Sequence, residues 1–153
     1  MGDKPLTIGQ EESITPDVLR LMDELSDTLE SITGSSGRLS FSMDDLSSPG
    51  SLLAVARDGE GTAAGCGVIR PLDTGTAEVK RMYAKEKGEG IGSAILSYLE
   101  SQAARLGYHT VRLETRSVNK DAVAFYLARG YTPIPNYGRY AGRVEAVCFE
   151  KKL

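Results

Sequence analysis

The sequence predicts an α/β (α+β) domain in which a mixed central sheet carries helices on both faces. Three observations lead there. Residues 52–84 hold three β-rich runs joined by short turns, the pattern of an antiparallel meander. From Ile91 onward, strand and helix patterns alternate, so the order is β, α, three strands, α, β, α, β, β. That order suits a mixed sheet rather than a purely parallel one. No repeat, linker or low-complexity tract interrupts it, and 153 residues match one ordinary domain, here residues 1–153.

Leu6–Gly9 reads as a short strand. Thr15, Pro16 and Asp17 form a helix start, with a capping hydroxyl and proline at the first helical position. Val18, Met22, Leu25, Leu29 and Ile32 then recur at helical spacing and predict one buried stripe. A Gly/Ser loop over Gly34–Gly37 ends this helix, and Met43–Leu46 has room for one more helical turn before Pro49 and Gly50. Leu52–Arg57, Ala63–Leu72 and Ala77–Ala84 are the three meander strands, with turn signals at Asp58–Gly61 and Asp73–Gly75. Ile91, Ile95, Tyr98, Leu99, Gln102 and Leu106 trace a helical face that stops at Gly107. Thr110–Thr115 is the next strand, Asn119–Arg129 the next helix, and Tyr131–Ile134 and Val144–Lys151 the last two strands.

Composition narrows the function. The 18 basic and 21 acidic residues give a net charge of -3, with no run of Lys or Arg to track a phosphate backbone, which argues against a nucleic-acid partner. The segment Met1–Gln10 lacks the charged and apolar blocks of a leader. No apolar stretch of about 18 residues occurs, so a cytoplasmic protein without a membrane partner is expected. Cys66 and Cys148 each lie in an apolar run, far from the single histidine, His109. They read as buried thiols, and no metal site is expected.

The segment Lys87, Gly88, Glu89, Gly90, Ile91, Gly92, Ser93 lies between a strand and a helix. Backbone N–H groups crowd at such a helix start and attract phosphate, and glycine lets the backbone approach the anion. A plain glycine-rich turn is the structural alternative. A Walker loop requires Lys before Ser or Thr after the last glycine, whereas Gly92 is followed by Ser93 and Ala94. The dinucleotide fingerprint fails as well, because only Ile91 separates Gly90 from Gly92.

The spacing of Lys87, Gly90 and Gly92 resembles the CoA pyrophosphate loop of the GNAT N-acetyltransferase family, in which Gln or Arg precedes the glycines. Downstream, Asn119, Ala122, Phe125 and Tyr126 followed by Gly130 and Tyr131 resemble that family's second CoA-contacting segment. Two departures stand out: Lys87 keeps the charge but not the planar side chain, and the link from Ala84 to Lys87 is two residues shorter than is common in the family.

The resemblance implies the GNAT fold, acetyl-CoA as co-substrate without a metal, and transfer of the acetyl group to an amine. It implies that the strand ending at Ala84 pairs with the pantetheine arm and that the N–H of Met82 is the oxyanion donor. Gly88, Gly90, Ile91, Gly92 and Ser93 are then the phosphate cradle, and Asn119 and Ala122 further cofactor contacts. Tyr126 would protonate the leaving thiolate and Glu78 would serve as general base. Period-two alternation puts Glu78, Lys80 and Met82 on one strand face and Val79, Arg81 and Tyr83 on the other. Both candidates also have structural readings, Glu78 as a Lys-paired strand residue and Tyr126 as core.

On the acceptor side, the hairpin between the last two strands carries Tyr137, Arg139, Tyr140 and Arg143, and its arginines suit the carboxylate of a small amine such as an amino acid. A peptide amine is equally compatible, as is a homodimer. The competing readings are a non-catalytic acyl-CoA-binding module and a nucleotide-binding module.

Overall fold

The computed structural model of the protein describes residues 5–38 and 43–153. The N-terminal expectation for Met1–Lys4 lies outside the described residues. The elements are β1 (Leu6–Glu11), α1 (Pro16–Thr33), β2 (Leu52–Asp58), β3 (Ala63–Asp73), β4 (Thr76–Ala84), α2 (Ile91–Arg105), β5 (Thr110–Arg116), α3 (Lys120–Ala128), β6 (Thr132–Ile134) and β7 (Ala146–Lys152). Short 3-10 turns cover Met43–Ser47 and Gly138–Tyr140.

The seven strands form one sheet in the order β1-β2-β3-β4-β5-β7-β6. Every neighbouring pair is antiparallel except β4 and β5, which run parallel. On one face α1 buries Val18, Leu21 and Met22 against Leu53, Val55, Cys66 and Val68. On the other, α2 and α3 pack Ile95, Leu96, Leu99 and Tyr126 against Ile69, Val79, Leu113 and Phe149. The alternation along β2 explains the two cores, since Leu52 and Ala54 feed one and Leu53 and Val55 the other. Among the described residues no helix is long and apolar enough to cross a membrane.

Local chemistry departs from the sequence reading in two places. The Thr15 hydroxyl does not cap α1; it donates to the Asp17 carboxylate, which itself accepts the N–H of Val18 at 2.9 Å. Arg57 draws Asp17 (2.6 Å) and Glu11 (2.8 Å) together, tying α1 and β1 to β2. The α1 stripe is also not buried throughout. Leu29 is half-buried and Ile32 is exposed at the C-terminal end of the helix, where both reach a cleft.

The cleft arises from two features of β4. First, β4 pairs with β5 over three residue pairs only, Thr76–Glu78 with Thr110–Arg112, after which the strands separate. Second, β4 carries one extra residue: Lys80 lies opposite Val68 but Tyr83 lies opposite Cys66. Arg81 absorbs that bulge at a φ of 54°, the left-handed region. Gly67, facing the bulge, makes it sterically allowed, because a Cβ there would stand 2.6 Å from the Met82 sulfur and 2.9 Å from Leu99.

The bulge corrects the predicted alternation. Met82 and Ala84 pack with the α2 core, on the side of Val79, and not with Glu78 and Lys80. Arg81 donates to the Met22 carbonyl (2.8 Å) and to the Ser26 hydroxyl (2.5 Å), and Tyr83 donates to Glu24 (3.1 Å). Both therefore sit on the α1 face. One inserted residue reverses the parity of every side chain beyond it.

Candidate active site

The cleft encloses about 700 Å³ and runs through the gap between β4 and β5. At one end lies the glycine loop. α2 begins at Ile91 with Gly90 as its N-cap at a φ of 76°, and the N–H of Ala94 closes the first helical turn onto the Gly90 carbonyl at 3.0 Å. The N–H groups of Ile91, Gly92 and Ser93 thus precede the helical ladder, at the positive end of a 15-residue helix. Gly88, Gly90, Ile91, Gly92 and Ser93 all line the cleft, as does Lys87, whose exposed ammonium stands 3.7 Å from Asp121. A site with orphan donors, glycine at the close approach and a nearby cation suits a pyrophosphate.

Across the gap, α3 contributes Asn119, Ala122, Phe125 and Tyr126 to the lining. Asn119 caps α3 by accepting the Ala122 N–H at 3.3 Å. Tyr126 is 8% exposed and held by edge-on contacts with Phe125 (5.1 Å between ring centres) and Tyr131 (5.7 Å). Burial raises its hydroxyl above the usual tyrosine range, so the group keeps its proton at neutral pH. On the β4 side the bulge brings Arg81, Met82 and Ala84 to the lining. Beyond Glu78, the β5-facing edge of β4 pairs with no strand among the described residues.

Two predicted site residues lie elsewhere. Glu78 does not line the cleft. It is 1% exposed, one oxygen accepts Arg70 Nε and Nη2 at 3.0 and 2.9 Å, and the other accepts the Tyr137 hydroxyl at 2.5 Å. Tyr137 is likewise outside the lining, and burial beside this carboxylate pushes its hydroxyl well above the ordinary range. The connection from β6 to β7 is a 3-10 turn with irregular flanks rather than a tight hairpin. Its Arg139, Tyr140 and Arg143 do reach the cleft. Tyr140 is buried, and its hydroxyl accepts the ammonium of Lys80.

Among the charged residues of the lining to which the sequence reading gave no site role are Lys80 and Glu114. Lys80 is 9% exposed, and burial pulls its ammonium below the ordinary lysine value. Glu114 lies on β5, two residues past the last pair with β4, and its side chain is 12% exposed. Its nearest cation is Arg116 at 3.9 Å. Its Oε2 is buried and accepts no hydrogen bond among the described residues, and burial raises its pKa. Along β5, Leu113 belongs to the α2 core, so Glu114 faces the α1 side together with its cross-strand partner Cys148. The sequence marks the alternation Arg112, Glu114, Arg116 but not the gap that puts Glu114 inside a cleft.

Several known proteins are similar to this chain in sequence or in fold. Residues 18–131 match the Acetyltransferase (GNAT) family. An IAA acetyltransferase of Azospirillum brasilense is 30% identical over 152 residues, covering 97% of this chain and 98% of its own. A protein from Klebsiella pneumoniae, assigned as an acyl-CoA N-acyltransferase, superposes with a TM-score of 0.79 at 27% identity over 97% of each chain. The fold is shared too by a GNAT acetyltransferase of Elizabethkingia anophelis whose structure holds acetyl-CoA, with a TM-score of 0.71 at 18% identity over 97% of this chain and 98% of that one. With the family match spanning most of the chain and a relative 30% identical along nearly its whole length, this protein belongs to the GNAT acetyltransferase family.

Proposed function

We propose that the protein is an N-acetyltransferase that moves the acetyl group of acetyl-CoA to a primary amine of a small molecule, an amino acid among the candidates, or of a peptide, by direct attack on the thioester. The observation that carries this reading is the arrangement at the β4/β5 gap: a phosphate-type cradle opens one end of a slot that leads past Tyr126 to a charged wall. Acetyl-CoA supplies the activated acyl group.

In this reading the orphan N–H groups at the start of α2 bind the pyrophosphate, with Lys87, Asn119 and Ala122 beside it, and the unpaired edge of β4 through Met82 to Ala84 orients the pantetheine arm. The Met82 N–H, set by the Arg81 bulge, is the donor for charge developing on the thioester oxygen. Tyr126, protonated in its buried position, gives a proton to the departing sulfur. The acceptor enters between the end of α1 and the Arg139–Arg143 turn, where Leu29 and Ile32 form an apolar wall opposite arginines suited to a carboxylate.

The reading is tested by incubating the purified protein with acetyl-CoA and a panel of free amino acids, simple primary amines, spermidine, short peptides and IAA, the last because the Azospirillum relative carries that name. Release of CoA thiol and a matching acetylated product by mass spectrometry are expected for at least one amine. Acetyl-CoA binding without turnover by any acceptor would refute it.

A further inference from the structure

We infer that Glu114, rather than the Glu78 that the family resemblance implies, receives the acceptor's ammonium group and takes its proton. This rests on the acetyltransferase reading above. Three independent observations meet at Glu114: it lines the cleft, it stands two residues past the point where β4 and β5 part, and its buried Oε2 accepts no hydrogen bond among the described residues. A buried carboxylate oxygen left without a donor costs stability, and such a group persists where a ligand completes it. A primary ammonium supplies the missing N–H and a compensating charge.

The alternatives on the same wall fare worse. Both Glu78 oxygens are taken, by Arg70 and Tyr137, and the residue does not reach the cleft. Lys80 is a donor already given to Tyr140. Tyr126 stands on the α2 face of the sheet and Glu114 on the α1 face, so the two groups flank the slot from opposite sides. A base for the incoming nitrogen and an acid for the departing sulfur have to be separated in this way.

Several charges face Glu114. Arg116 on β5 and Lys80 on β4 favour its ionised form, Glu78 on β4 and Glu145 before β7 oppose it, and Cys148 on β7 is its neutral cross-strand neighbour. Burial dominates and raises the carboxyl, which makes it a stronger base than a solvated glutamate.

The step balances. The ammonium passes one proton to Glu114, and from there to solvent. The neutral nitrogen forms a bond to the carbonyl carbon, the carbon–sulfur bond breaks, and the thiolate takes the Tyr126 proton. The second proton lost by nitrogen on becoming an amide replaces the one that Tyr126 gave up.

The test is the pH dependence of kcat/KM for Glu114→Gln and the wild type with acetyl-CoA and the amine from the panel that turns over fastest. Near neutral pH the variant should lose about 10²- to 10⁴-fold, and the deficit should shrink as rising pH deprotonates the amine unaided. Acetyl-CoA affinity should be unchanged. The melting temperature should hold or rise, because a buried acceptor without a donor has been replaced by a neutral amide, whereas a merely structural glutamate would lose stability. A full-rate variant, or a deficit constant across pH, overturns the assignment to Glu114 and leaves the acetyltransferase reading intact; no turnover of any amine by the wild type overturns both.

Discussion

Replacing Gly90 by valine separates the fold from the phosphate site. Gly90 holds a φ of 76° at the N-cap of α2, and a Cβ built there meets no atom within 4 Å. The cost to the unliganded protein is therefore backbone strain alone, roughly 1–2 kcal/mol for a branched residue in the left-handed region. At this chain length that lowers the melting temperature by roughly 2–8 °C. Ligand binding suffers more. A phosphate resting on the N–H groups of Ile91, Gly92 and Ser93 needs the close approach that glycine permits. Loss of one charge-assisted hydrogen bond, about 1.5–3 kcal/mol, weakens affinity by about 10- to 150-fold. Calorimetric titration with acetyl-CoA reads this directly, and acetyl-pantetheine, which lacks the pyrophosphate, serves as the control. Unchanged acetyl-CoA affinity in a folded variant, or an equal loss for both ligands, would refute the placement of the phosphates on this loop.

Other perturbations address the remaining groups. Tyr126→Phe keeps the ring contacts with Phe125 and Tyr131 and deletes the hydroxyl. kcat should drop about 10²- to 10⁴-fold with little change in acetyl-CoA affinity, and a full-rate enzyme would show that water or another residue protonates the sulfur. Glu78→Gln breaks a carboxylate held by Arg70 and Tyr137. It should lower unfolding stability by about 3 kcal/mol, near the lower bound for buried pairs because Arg70 is partly exposed; an unperturbed urea midpoint with an altered pH–rate profile would return Glu78 to the mechanism. Asp17→Asn tests the Arg57 cluster. The hydrogen bond from Arg57 holds the Asp17 carboxyl well below its ordinary 3.8, so its contribution is present at neutral pH and fades as pH falls below about 4. The gap in urea midpoint between wild type and variant should close over that range, and a gap independent of pH would contradict the assignment.

Much of this was legible in the chain. Every strand and helix of the sequence reading is present, because period-two and 3.6-residue patterns survive wherever an element has one buried face. The glycine loop at the start of α2 and the α3 residues that line the cleft could be placed for a different reason: their positions are set locally, by a helix start and one helical face. The bulge at Arg81 was not anticipated. Its cause, the space over Gly67, lies on a neighbouring strand, although glycines at 65 and 67 inside β3 were a signal of close approach. Glu78 and Glu114 exchanged places for the same reason. Each sits on an alternating strand, and only the point at which β4 and β5 separate decides which one meets the cleft. That point is a long-range property with no signature in either segment.

The β4/β5 junction also bears on the mechanics of the sheet. It joins two antiparallel blocks, β1 to β4 on one side and β5, β7 and β6 on the other, through three residue pairs, as few as hold β6 to β7 at the sheet's edge. Hinge-like opening concentrates where backbone hydrogen bonds are fewest. An extended guest lying along the free edge of β4 would fill that seam as a surrogate strand. Occupancy would then stiffen the junction, and a donor that departs as thiol after transfer would leave the two blocks free to part again, which ties the opening of the sheet to the turnover cycle.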